Sequence, residues 1–449
     1  MIDKRDIINF LFIVSFPVYG IGSYIAATLS PSVGYFVSIS PHLLIILFYC
    51  IDLVYKRTFT LRLNAAYVLM LVFQLSCIAS LFIALANNLP EANLRLTIGR
   101  AISMITPFHA FIVVALYNDQ HPDDLPRLTL LSLSLLLAIN LIGYYGLGWT
   151  NAFHSIEGRL SLPFFDGFYS GANVLAIINI VVLYYLFISW RKTLLFLSLL
   201  AYFTFNFVLF YLINSRLSML IFLLVVALVF SKLIRVKLIY FLSLLTIPFL
   251  LNSSMFLYEI LQHPVFASLV QRVDINDVTT FNGRAYLWQD AMDWLYYDQR
   301  GLLFGNGYKG HYFLDLIPDV VTLWNAEDSH HLHLHSTSLE TLVSQGVVFF
   351  LILCLVFYLT YSYYRERHRQ GREEGAFFPV VVFLLFIMQV DTFIYLDSLG
   401  AVIFSLLISK SVIRDPVKIN SPAVLKDSNA PGNGLPAVKL IPYDKQSLY

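Results

Sequence analysis

Uninterrupted apolar runs of roughly twenty residues recur along this chain, and few folds can hold them. The stretch from Leu194 to Ile213, for example, carries no charged side chain. In lipid every backbone N–H and C=O must be satisfied internally, which leaves helices or a closed barrel. Barrel strands would alternate polar and apolar over about ten residues, and these runs do not alternate. Composition agrees: 58% of residues are hydrophobic and only 13% charged, against about a quarter charged in a soluble domain. The expected fold is an all-α polytopic membrane protein of about twelve spans. They fall near 8–28, 33–54, 64–86, 101–117, 127–147, 169–189, 194–213, 217–231, 238–253, 338–363, 377–394 and 396–412. The eighth and the last two are short enough to be tilted or half-membrane segments.

Basic residues orient the set, because Lys and Arg concentrate on the cytoplasmic side. Lys4 and Arg5, Lys56 with Arg57 and Arg62, Arg191 with Lys192, Lys232 with Arg235 and Lys237, and Arg365 through Arg372 all fall on one face. The 118–126 connection fits poorly, since Asp119, Asp123 and Asp124 outnumber Arg127. Both termini are then expected in the cytoplasm. Four regions follow: nine spans in 1–253, a large external loop in 254–337, three spans in 338–413, and a disordered cytoplasmic tail in 414–449 rich in Pro, Gly, Ser, Asn and Lys. No repeat of fixed period is evident, and no cleavable signal peptide precedes the first run. Cys50, Cys77 and Cys354 sit inside apolar runs, where they read as small core residues. A net charge of +1 gives no general reason to expect a nucleic-acid partner.

The loop is the one long polar interval in the chain, and a working site is expected there. After Asn282-Gly283 a short amphipathic helix is predicted, with Arg284 in its first turn and Tyr286, Trp288, Ala291, Met292 and Leu295 on its apolar face. A helix N-terminus beside a guanidinium suits an anion. Gly305-Asn306-Gly307 marks a tight turn. His335 lies at the start of the tenth span, with Ser336, Thr337 or Ser338 as helix cap and Glu340 closing a capping box with Thr337. Cations nearby would keep such an imidazole neutral and fit to act as a base. The run His330, His331, His333, His335 raises a metal site. No cysteine joins it, and neighbouring Glu327 and Asp328 read as ordinary loop residues, so no metal and no cofactor is expected.

Several arginines break the positive-inside pattern: Arg95, Arg100, Arg159, Arg216, Arg272, Arg284 and Arg300. Arg216 stands in the short connection Asn214-Ser215-Arg216 between two spans. Either it snorkels to lipid headgroups, or it meets an anion whose oxygens match its planar donor fork. As a set, Arg100, Arg159, Arg216 and Arg284 would suit a lipid-linked diphosphate at the external surface.

These patterns resemble the O-antigen ligase and polymerase superfamily of integral membrane glycosyltransferases. Gly283-Arg284 followed by Trp288 and Gly305-Asn306-Gly307 looks like the core of that family's loop. His335-Ser336, nine residues, then Gly346-Val347-Val348-Phe349 is similar to the ligase signature, with Phe349 departing at the last position. Arg159 to Asn173, with Pro163 and Asp166 between, and the Ser215-Arg216 pair are similar to further family segments. The resemblance covers most of residues 90–410. It implies a multi-pass protein of the bacterial inner membrane performing metal-independent, inverting glycosyl transfer from a polyprenyl-diphosphate-linked glycan. His335 would be the base, with Arg284 catalytic and, with Arg216, holding the diphosphate.

The expected function is polymerisation of lipid-linked repeat units into O-antigen or capsular polysaccharide. Membrane lipid and a chain-length regulator protein are the other expected partners, and no nucleic acid. The alternative within the same class is a ligase that moves the finished chain to lipid A–core or another acceptor; Phe349 tilts the choice to polymerase. Transport of a glycan or solute also fits twelve spans. Against it stand the missing repeat symmetry and the single large loop, with Asp391 and Asp397 its best support.

Overall fold

The computed structural model describes residues 3–56, 63–90, 92–152, 159–231, 236–253, 283–318, 321 and 328–413. The expected tail in 414–449, the first part of the loop (254–282) with Arg272, and Glu327 lie outside the described residues.

Within them the protein is all-α. Nine helices are long and apolar enough to cross a membrane, and two shorter apolar helices join them. This is a multi-pass membrane protein, in contact with lipid over its outer helices. The sequence of long helices begins α1 (Lys4–Thr28), α2 (Pro31–Lys56), α3 (Ala65–Ala86) and α4 (Leu94–Tyr117). It continues with α5 (Asp124–Leu141), α6 (Phe168–Ser189) and α7 (Thr193–Ile213), then the shorter α8 (Arg216–Val225) and α9 (Val236–Leu244). In the loop region come α10 (Arg284–Asp293) and a single turn, α11 (Gly310–Phe313). The chain ends on α12 (Thr337–Gln345), α13 (Val347–Arg369), α14 (Phe377–Val390) and α15 (Leu399–Ser411).

Burial sorts these helices into a centre and a rim. The apolar stretch of the span that ends in α14 is 94% buried and that of α6 83%, whereas that of α7 is only 22% buried. Lipid-facing side chains such as Leu194, Phe205, Val208 and Tyr211 stay exposed on α7. In lipid these are solvated rather than misplaced, because the surroundings are as apolar as they are. Small residues set the closest approach. A Cβ on Gly34 would stand 2.3 Å from the Ala26 nitrogen, so α1 and α2 meet backbone to backbone.

Among the helix boundaries that differ from the sequence reading, two bear on the site. The fourth span starts at Leu94 rather than 101, capped by Asn93, whose side chain accepts the Leu96 N–H. Arg95 and Arg100 therefore ride on a helix instead of a connection. The expected tenth span, 338–363, is two helices broken at Gly346, which sits at φ 86°. A Cβ there would come within 2.5 Å of the Gly305 nitrogen and the Leu303 carbonyl. Hydrophobicity alone cannot reveal such a break, since the need for it comes from the Leu303–Gly305 backbone packed against the turn.

All nine residues of α12 are buried, although Thr337, Glu340, Thr341, Ser344 and Gln345 are polar. Partners account for much of this. Thr337 donates to the Asp391 carbonyl (2.9 Å), and Gln345 donates to Ser80 Oγ (3.0 Å) and Tyr395 Oη (3.3 Å). At its end, carbonyls that helix geometry leaves without partners accept from the Gly-Asn-Gly turn: Asn306 N–H to Val343 O and Gly307 N–H to Ser344 O, each 3.0 Å. The turn thus caps α12, and φ values of 86° and 89° at Gly305 and Gly307 are what let it approach.

Candidate functional site

A cleft of about 490 Å³ opens where α1 ends and α2 and α4 begin. Its wall on the α1–α2 side carries Tyr19, Ser23 and Tyr35, and α4 adds Arg100. The Gly305–Gly307 turn delivers Tyr308, Lys309 and His311, and the histidine run delivers His331 and His333. Glu340 comes from α12, Asp166 from the segment before α6, and Thr392 with Tyr395 to Ser398 from the segment between α14 and α15.

Arg100 is half-buried, its Nε donating to Tyr35 Oη (3.1 Å) and its guanidinium 5.3 Å from the centre of the Tyr308 ring. Tyr308 stacks on Tyr395 at 6.4 Å. Lys309 donates to the His330 carbonyl. Asp166 accepts from Ser23 Oγ and from the Leu399 N–H (2.7 Å) at the start of α15. Burial pushes its carboxyl up to about 6, helped by Asp397 and resisted by those two hydrogen bonds.

The most enclosed part of the cleft is an imidazole–carboxylate pair. His311 Nδ1 lies 3.3 Å from Glu340 Oε2, with the two side chains 0% and 1% exposed. Glu340 Oε1 accepts the Leu334 N–H at 2.6 Å. Burial alone would raise the Glu340 carboxyl; His311 beside it, with His333 and that N–H, holds it below the usual range instead. His333 is pushed down to about 4, chiefly by burial, with His311, Arg284 and Lys309 adding to the effect and Glu340 opposing it. Its Nδ1 accepts the His335 N–H at 3.3 Å.

The expected site residues distribute unevenly around this geometry. Of His335, Arg284, Arg216, Arg159 and Arg100, only Arg100 lines the cleft. His335 sits at φ 49°, its ring 4.0 Å from that of His333. Arg284 is buried at the start of α10, where Nη1 donates to the Val390 carbonyl (2.8 Å) and the guanidinium stands 4.9 Å from the Tyr169 ring centre. Its charge also eases the buried Asp391 carboxyl, which burial raises on balance. The buried face of α10 is Leu287, Trp288 and Ala291, followed by Trp294 just past its end, whereas Tyr286 is exposed, so the face expected from sequence is rotated. Ser215 and Arg216 part company at the start of α8: Arg216 is exposed while Ser215 is buried. Ser215 Oγ meets Ser218 Oγ at 2.8 Å, Ser218 donates to Asn173 Oδ1 at 2.7 Å, and Asn173 donates to Asp391 Oδ2 at 3.0 Å. Arg159 is half-buried near Leu160, whose N–H donates to Leu212 O.

The capping box is corrected too. Ser336 is the cap of α12, accepting the Leu339 N–H at 3.2 Å, and Glu340 turns to His311 instead of to Thr337. Sequence reasoning missed His311 as a result; its separation from Glu340 hides the pairing. Asp328, His330 and His331 offer ligand atoms within 4.8 Å of one another. Asp328 already binds His330 Nδ1 and accepts both backbone N–H groups of His330 and His331, which braces a turn.

No protein-family model matches this chain, and no curated protein matches it.

Proposed function

We propose that the protein is a membrane glycosyltransferase that polymerises polyprenyl-diphosphate-linked repeat units into O-antigen or capsular polysaccharide. The observation that carries this reading is the makeup of the cleft. Phenol rings from Tyr19, Tyr35, Tyr308 and Tyr395 line it together with the carboxylates of Asp166, Asp397 and Glu340 and the cations of Arg100 and Lys309. Carboxylates and phenols take sugar hydroxyls, aromatic faces take the C–H face of a sugar ring, and cations beside them take phosphate oxygens. A ligand combining glycan and diphosphate uses all three. The cleft opens beside helices whose outer faces meet lipid, which suits a donor held by a polyprenyl chain.

A lipid diphosphate is already a good leaving group, so charge stabilisation and one base suffice, with no nucleotide consumed. Such chemistry belongs on the external face of the bacterial inner membrane, with both termini cytoplasmic and about twelve spans in all. Departure from the ligase signature at Phe349 favours a polymerase over a ligase. The motif position of His335 makes it one candidate for that base, as is any other histidine that reaches the cleft, while Arg284 and Arg216 act by holding the scaffold or the lipid headgroup region. A chain-length regulator is the protein partner this reading calls for.

The test is a deletion strain examined by glycan gel. Loss of the ladder with one repeat retained on the core is the expected result. Loss of all core-attached polymer with lipid-linked polymer accumulating would reassign the protein as a ligase, and an unchanged profile would remove both readings.

A further inference from the structure

Four features make the buried His311–Glu340 pair unlike the other histidines of the cleft. Its carboxylate is fixed from two sides, by His311 Nδ1 and by the Leu334 N–H. A carboxylate only accepts, so the contact puts a proton on Nδ1, and in the neutral imidazole the lone pair is then on Nε2. Nε2 is buried and finds no hydrogen-bond partner, although His311 lines the cleft. A buried polar atom without a partner is costly to keep, and a ligand hydroxyl there would satisfy it. Finally, α11 and the Gly-Asn-Gly turn hold the ring in place, with Gly310 N–H on Ser344 Oγ at 3.3 Å.

Resting on the glycosyltransferase reading, we propose that His311 is the catalytic base that accepts the proton of the acceptor sugar's hydroxyl, and that Glu340 is its positioning residue. In the transfer step the acceptor O–H gives its proton to His311 Nε2 as the oxygen lone pair forms a bond to the donor's anomeric carbon. The bond from that carbon to the diphosphate oxygen breaks, and its electron pair leaves on the polyprenyl diphosphate. Glu340 stabilises the imidazolium until the proton passes to water or to the departing diphosphate. Nothing is oxidised or reduced, and the products are one glycoside and one polyprenyl diphosphate. His335 does not line the cleft, and His333 is a less suitable base than His311. Its Nδ1 already accepts the His335 N–H, and a ring held near a pKa of about 4 takes a hydroxyl proton poorly.

Turnover is measured with purified full-length protein and polyprenyl-diphosphate-linked glycans extracted from the deletion strain, and donor-site binding with undecaprenyl diphosphate. His311→Ala and His311→Gln should lose about 100-fold or more in turnover, as expected for a missing base, while binding of undecaprenyl diphosphate stays at the wild-type level. Added imidazole should restore part of the His311→Ala activity, which a structural role would not allow. Glu340→Gln should be slow and Glu340→Asp intermediate. Wild-type turnover in His311→Gln would overturn the assignment while leaving the glycosyltransferase reading intact. Loss of the folded protein in both His311 variants would assign the pair to structure and overturn it as well. Wild-type protein that turns over none of the extracted donors, together with an unchanged polymer profile in the deletion strain, would remove the underlying reading itself.

Discussion

The two ends of the helix bundle treat their charges in opposite ways. At one end, cations and carboxylates from different segments pair directly: Lys4 with Asp52, Arg5 with Asp124, Arg127 with Glu373, and Lys410 with Asp119 at 2.9 Å. Tyr117 and Asn118 extend the network, donating to Asp52 at 2.7 Å and accepting from Arg5 Nε at 2.9 Å. At the other end two cleft charges are hydrogen-bonded to neutral groups: Arg100 donates to Tyr35 and faces the Tyr308 ring, and Asp166 accepts from Ser23 and a backbone N–H. A charge neutralised by another has little left to offer a ligand. A charge held by neutral dipoles keeps its field, and such groups gather where binding or chemistry is done. The first end staples the bundle, and the second is equipped to act.

Substitutions at the two ends should therefore fail differently. The largest effect on activity falls at the cleft, where His311→Gln should abolish most turnover while the detergent-purified protein stays folded. At the stapled end the pattern should reverse. Lys410 is nearly buried (6% exposed) against Asp119, and Lys410→Met leaves that carboxylate without its cation. A loss of about 1–3 kcal/mol of stability is expected, read as a lower thermal midpoint, with turnover unchanged below it. Adding Asp119→Asn should recover part of the loss, because the cost lies in the orphaned charge rather than in the missing pair. An unmoved midpoint in Lys410→Met would show that the two ends are not divided as described.

A smaller effect concerns Asp166. Its carboxyl is raised from 3.8 to about 6 in the folded protein, so between those values the folded state binds more protons than the unfolded. Stability attributable to this group therefore falls as pH rises through the window. Asp166→Asn should be more stable than wild type above about pH 6, and its advantage should shrink as pH falls toward 4. His333, depressed to about 4, has the opposite slope over an overlapping window, so the difference between variant and wild type is the quantity to follow. A difference that does not change with pH would contradict the placement of Asp166.

Spans and their approximate ends were legible because membrane burial writes itself as long apolar runs. Interactions between distant segments were not. Asp119 and Asp124 made the 118–126 connection look misplaced, yet each answers a cation from another helix, Lys410 and Arg5. Gly346 read as part of a signature spacing, whereas the Leu303–Gly305 backbone packed against it is what requires a glycine. Arg284 was prominent as a cation beside a helix start, but burial commits it to Val390 and the neighbourhood of Asp391. His311 carried no local signal at all, and only the fold brings Glu340 to it. Arg100 drew notice as a cation on an unexpected side, and it is the one expected arginine that reaches the cleft.

Placement of the donor's phosphates in this cleft is tested most directly by binding of undecaprenyl diphosphate to the purified protein. Arg100→Gln should weaken binding about tenfold or more, the worth of one charge-assisted hydrogen bond, while Arg127→Gln, at the stapled end, should bind as wild type does. Equal binding by wild type and Arg100→Gln would put the diphosphate elsewhere and contradict that placement.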